Sequence, residues 1–145
     1  MTDAGQGITV ERRIKARPEV VYAYLTESTR WARWQGVSAK IEAVPGGAYR
    51  MTMANGLVAE GTFVELVPNR RIRFTWGWHG STTLPPGSST VTLDLVEDAG
   101  GTKVTLTHDG LPAEERTVHE TGWRHYISRL VTAAEGRDPG PDPGP

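Results

Sequence analysis

Two side chains stand at spacings suited to moving protons. His108 follows Val104 and Leu106 at every second position, so on a β-strand it shares their inward face. A neutral imidazole at that strand end could orient a substrate or carry a proton. Glu60 runs in phase with Val58, Val64 and Leu66, although the neighbouring Gly61 can mark a bulge that turns the carboxylate outward. If both point inward they make an acid/base pair. The plainer alternatives are a histidine bonded to backbone at the Asp109-Gly110 turn and a glutamate on the surface, and these are favoured.

Other chemistries find less support. His119 and His125 are six residues apart, hence on different helix faces, and no third ligand accompanies either, so no metal site is expected. Ser88-Ser89 lacks the Gly-x-Ser-x-Gly setting of a nucleophile, and Gly77 and Gly80 do not open a helix as a nucleotide loop requires. No metal or nucleotide cofactor is expected. Arg12, Arg13, Arg70, Arg71 and Arg73 form a basic rim on neighbouring strands, read as a solvated face paired with glutamates, with a partner-docking patch as the sharper alternative.

These residues must be held by elements that the patterning marks out. Ile8 to Ile14 alternates as a first strand, and Arg17-Pro18 opens a helix to about Leu25, with Val20, Val21, Tyr24 and Leu25 on its apolar side. Ser28 can cap a second short helix carrying Trp31 and Trp34, which Gly36 ends. Turn residues then separate strands over about 40–44, 48–53, 58–67, 70–78, 89–97 and 102–108, with Asn55-Gly56 the surest hairpin. After Asp109-Gly110 the period changes, and Val118, Trp123, Tyr126, Ile127, Leu130, Val131 and Ala134 form one helical stripe that Gly136 stops. The Pro- and Gly-rich residues 137–145 cannot bury enough apolar surface to fold and read as a disordered or extended tail.

The strand through Ile72, Phe74, Trp76 and Trp78 presents a wall of large apolar side chains that something equally apolar must cover. The terminal helix is that cover. Tyr49, Met51 and Met53 share a face of one strand; Val91, Leu93 and Leu95, then Val104, Leu106 and His108, continue the wall; Trp123, Tyr126 and Ile127 oppose it. Most such residues simply fill a core. Buried Trp and Tyr, however, need partners for their N–H and O–H groups, so a cluster of them often lines a space that holds water or a polar ligand head.

Composition bounds the remaining possibilities. At 145 residues, 37% hydrophobic and 23% charged, the chain is a soluble single domain, and a net charge of −1 offers no footprint for nucleic acid or an acidic membrane. No apolar run reaches membrane-spanning length, the N-terminus lacks a signal-peptide layout, and the expectation is a cytoplasmic protein. The absence of cysteine removes disulfides and thiolate chemistry.

Several motifs resemble a known superfamily. Trp31-Ala-Arg-Trp34, Pro45-Gly46-Gly47-Ala-Tyr49, Gly61-Thr-Phe-Val-Glu65, Pro68 through Trp76, Thr105-Leu-Thr-His108-Asp-Gly110 and Gly122-Trp123 are similar to the START-like (SRPBCC) helix-grip proteins. Within them the chain looks most like bacterial proteins resembling the C-terminal domain of the activator of the ninety-kilodalton heat-shock chaperone ATPase. The resemblance implies an α+β fold in which a curved antiparallel sheet of six to seven strands wraps a long C-terminal helix, with two short helices after the first strand. The expected organisation is a flexible N-terminus at 1–7, one START-like domain over 8–135 and the tail at 136–145.

The resemblance also implies a pocket between sheet and helix. The expected function is binding of a small hydrophobic or aromatic molecule, with Trp34, Tyr49, Met51, Met53, Phe74, Trp76, Trp78, His108, Trp123, Tyr126 and Ile127 as its wall. One alternative is a cyclase- or hydratase-like enzyme using His108 and Glu60; non-enzymatic binding is favoured. The other is a chaperone-linked stress-response module. Either a monomer or a homodimer is compatible with the sequence.

Overall fold

The computed structural model describes residues 7–145. Its elements follow the order β1 (Ile8–Ile14), α1 (Pro18–Tyr24), α2 (Ser28–Trp31), β2 (Ser38–Ile41), β3 (Ala48–Thr52), β4 (Val58–Val67), β5 (Arg71–Trp76), β6 (Ser89–Asp98), β7 (Gly101–Asp109) and α3 (Ala113–Ala134). The strands form one antiparallel sheet ordered β1-β7-β6-β5-β4-β3-β2. β2 to β7 therefore follow one another as a meander, while α1 and α2 carry the chain from one sheet edge to the other. The expected α+β helix-grip architecture is what the chain adopts. The expected flexible segment 1–7 lies, apart from Gly7, outside the described residues.

The wall strand behaves as its alternation dictates. Ile72, Phe74 and Trp76 are buried, whereas Arg71 and Arg73 face out, Arg71 bonding Asp94 at 2.7 Å and approaching Glu65 at 3.6 Å. Arg13 pairs with Asp98 at 3.3 Å. Arg13, Arg71 and Arg73 of the basic rim are thus solvated and ion-paired, with aspartates as well as glutamates for partners, and each exposed pair contributes only ~0–1 kcal/mol.

Four local expectations are corrected. On β4 the inward residues are Ala59 and Phe63, not Val58 and Val64, because the register shifts between Phe63 and Glu65 and exchanges the two faces partway along the strand. Val20 and Val118 are exposed at 39% and 68%, outside the buried faces of their helices. Ser28 does not cap α2; Glu27 holds the cap position, and the Ser28 hydroxyl accepts instead from the Ile41 N–H at 2.9 Å, tying the helix to β2. Trp34 lies beyond α2, its indole N–H on the Tyr24 carbonyl at 3.0 Å.

The Pro- and Gly-rich tail packs through polar contacts. Its extended residues lie along α3: Asp142 accepts from His125 Nε2 at 2.8 Å, and Arg129 donates to the carbonyls of Pro139 and Gly140 at 3.2 and 2.7 Å. Composition counts only apolar surface, and this segment is held by polar contacts to side chains that α3 supplies.

Candidate ligand site

Much of the expected wall is solid core. Trp34, Met51, Phe74 and Ile127 have no exposed surface, and Tyr49 has 4%. Phe74 is ringed by aromatics, with Tyr49 at 5.2 Å, Trp31 at 5.6 Å and Phe63 at 5.9 Å between centroids, all edge-on, the arrangement that aromatic quadrupoles favour. Trp31 of α2 closes directly on the sheet there.

Beyond Trp76 the layers part. A cavity of about 480 Å³ lies between the β3–β4 hairpin (Met53, Asn55, Leu57), the segment after β5 (Trp76, Trp78, His79, Gly80, Ser81) and the first half of α3 (Glu115, Val118, His119, Gly122, Trp123, Tyr126), with Gln35 and Pro145 also on its wall. Two local features open it. Gly77 lets the chain leave β5 so close to the Pro85 carbonyl that a Cβ would collide with it, which swings Trp78 aside into a single bridge with Ala59. Gly122, in the middle of α3, leaves open space where any larger residue would place a side chain.

Of the expected wall, Met53, Trp76, Trp78, Trp123 and Tyr126 reach the cavity; Trp34, Tyr49, Met51, Phe74, Ile127 and His108 do not. Gln35, Asn55, Leu57, Ser81, Glu115, Val118 and His119 line it without having been expected. A glycine inside an otherwise regular helix was the available signal, since it costs ~1 kcal/mol relative to alanine. The polar lining residues carry no periodicity that would mark them.

Behind the cavity a chain of hydrogen bonds stitches α3 to the sheet. Trp123 donates its indole N–H to His108 Nδ1 at 2.9 Å. That leaves the proton of His108 on Nε2, which donates to Ser89 Oγ at 2.9 Å, and Ser89 in turn donates to the Trp76 carbonyl at 2.9 Å. Trp76 donates its own indole N–H to His119 Nε2 at 3.2 Å, and His119 Nδ1 donates to the Glu115 carbonyl at 2.9 Å. Every donor in this series of side chains has an acceptor.

The two proton-moving candidates stand apart. His108 points inward, as its phase indicated, and is held by side chains rather than by turn backbone, but it is fully buried and presents an N–H to Ser89 where a general base would need a lone pair. Burial, with His119 as a second cause, lowers His108 to about 3, and burial also lowers His119. Glu60 sits elsewhere, on the outward face of β4, pairing with Arg50 at 3.0 Å and His79 at 3.1 Å. The acid/base pair of His108 and Glu60 is not assembled. His125 faces the tail through Asp142, away from His119.

A curved antiparallel sheet gripping a C-terminal helix, with a cavity where the two part, defines the helix-grip class. Within it the chain belongs to the family described as Activator of Hsp90 ATPase homolog 1-like proteins, whose model matches residues 15–135. The mouse activator of 90 kDa heat shock protein ATPase homolog 1 is 28% identical over 120 residues, covering 82% of this chain and 34% of that protein. The chain thus spans about a third of the length of the curated relatives it matches. The solution structure of an AHSA1-like protein from Rhizobium etli is 45% identical, with TM-score 0.74 over 94% of this chain and 86% of that one. The solution structure of the Aha1 dimer from Colwellia psychrerythraea, 22% identical with TM-score 0.73 over 90% and 96% of the two chains, shares the fold. Among the described residues no helix is long and apolar enough to cross a membrane.

Proposed function

We propose that the chain binds a small hydrophobic or aromatic molecule in the cavity between the β3–β4 hairpin, the segment after β5 and the first half of α3. The observation that carries this reading is the approximately 480 Å³ space walled by Trp76, Trp78, Trp123 and Tyr126. Apolar walls with a few polar groups are the usual make-up of small-molecule sites, and rings supply large contact area with little rotamer entropy to lose. A reading as an enzyme built on His108 and Glu60 has no such support, because the two residues face different partners. The test is a screen of small aromatic compounds followed by tryptophan emission and thermal unfolding. A ligand of this site raises the melting temperature and alters emission, and Trp78→Ala weakens its binding at least tenfold; a screen that moves neither observable counts against the reading.

Family membership favours a second reading, a module that acts with a heat-shock chaperone. Retention of this chain on the immobilised chaperone at low salt supports it, and no retained complex removes it.

A further inference from the structure

The cavity has two hydrogen-bond donors that the protein leaves poorly matched. Gln35 is 1% exposed and lines the cavity. Its Oε1 accepts from the Trp31 indole N–H at 2.9 Å. An indole N–H only donates, so it must face the amide oxygen, and the NH₂ of Gln35 is thereby directed away from Trp31. That NH₂ has no hydrogen-bond partner among the described residues. Tyr126 lines the same cavity at 8% exposure, and its hydroxyl meets only the sulfur of Met53 at 3.9 Å, a weak acceptor. Burial, followed by the charge of Asp142, pushes this hydroxyl up to about 12.

The buried ring N–H groups behind the cavity are committed. Trp76 donates to His119, Trp123 to His108, and His119 to the Glu115 carbonyl. The wall also carries the carboxylate of Glu115 and no lysine or arginine. A ligand that meets the Gln35 and Tyr126 donors therefore brings an acceptor, and no negative charge.

We propose that Gln35 and Tyr126 are the specificity-determining residues of the cavity, selecting aromatic molecules that present an uncharged acceptor oxygen, such as a ketone carbonyl, over the matching hydrocarbon and the matching carboxylate. The proposal rests on the cavity being a ligand site, as proposed above.

Calorimetric titration with benzophenone, diphenylmethane and diphenylacetate tests it, since the three share two phenyl rings on one carbon and differ in what that carbon bears. Benzophenone binds about tenfold more tightly than diphenylmethane, the difference one well-made hydrogen bond produces. Diphenylacetate binds most weakly of the three. Tyr126→Phe keeps the ring and removes the donor, and it reduces the benzophenone preference at least threefold while leaving diphenylmethane unchanged. Gln35→Leu acts in the same direction, but it also strands the Trp31 N–H, so Tyr126→Phe decides the matter should that variant fold poorly. Equal affinity for the three probes, tightest binding of diphenylacetate, or a preference untouched by Tyr126→Phe overturns the selection and leaves the cavity as a binding site. Failure of all three to bind counts against the site itself, and the selection falls with it.

Discussion

Trp123 on α3 gives its indole N–H to Nδ1 of His108 on β7 at 2.9 Å, directly across the seam between helix and sheet. One bond settles two properties. It puts the histidine proton on Nε2, and it makes protonation of Nδ1 incompatible with the native packing. His108 is therefore a structural hinge-pin between α3 and the sheet, and its chemistry is that of a buried neutral ring.

Acid stability follows from that neutrality. In the folded chain burial lowers His108 to about 3, while the unfolded chain takes up a proton near 6.5. The unfolded state binds more protons throughout that interval, so stability is full above about pH 6.5 and falls as pH drops towards 3. The slope approaches ~1.4 kcal/mol per pH unit from this group, and His119, lowered in the same direction, adds to it. Urea midpoints measured between pH 4 and 8 give this profile, and His108→Gln flattens it.

Trp76 and Trp78 are neighbours in sequence with opposite duties. Trp76 touches the helix directly, its ring 5.1 Å from that of Trp123 and its N–H on His119, whereas Trp78 is only half-buried at the cavity wall. Trp76→Ala costs ~3–5 kcal/mol of stability, the usual loss for a truncated core aromatic. Trp78→Ala costs less than half as much. Chemical denaturation of the two variants distinguishes these outcomes.

Gly122 separates stability from occupancy. A Cβ there meets nothing within 4 Å, so Gly122→Ala removes the helix-interior penalty of glycine and stabilises the protein by ~0.5–1 kcal/mol. Gly122→Leu projects a branched side chain into the cavity; it folds, and it abolishes binding of any ligand held there. A thermal melt and a binding titration on the same two variants check both halves.

The tail is held by a carboxylate. Burial alone would push Asp142 up, but the hydrogen bonds from His125 and the Gly144 N–H and the charge of Arg129 outweigh it and hold the group below its ordinary value. The docking is therefore intact at neutral pH and is lost only as pH falls through that lowered value. Asp142→Ala releases the segment at pH 7, which hydrogen exchange reads as faster exchange over residues 138–144 with little change in the sheet.

Residue by residue, the elements were legible wherever a periodicity ran unbroken. β1, α1, β5 and α3 stand where alternation or helical spacing placed them, because burial on one face imposes a period that composition records. β4 was misread for the same reason: the shift between Phe63 and Glu65 exchanges inside for outside, and the valines at 58 and 64 look as apolar in sequence as Phe63 does. Trp76 was legible as wall. That Trp78 leaves the strand was not, since the Gly77 turn is shaped by the Pro85 carbonyl, which belongs to a distant part of the chain.

By itself the sequence determined the order of strands and helices, the wall of Ile72, Phe74 and Trp76, and the helix through Trp123 that must cover it, all properties of residues near one another along the chain. Only the tertiary structure decided where wall and cover touch and where they part. Contact at Trp76 and a gap beyond it depend on how side-chain volumes from several elements meet in space, and a local period carries no information about that sum. The same holds for Gln35 and Tyr126. Each is ordinary in sequence, and they become two donors facing one space only when the segment after α2, the β3–β4 hairpin and α3 have been folded around it.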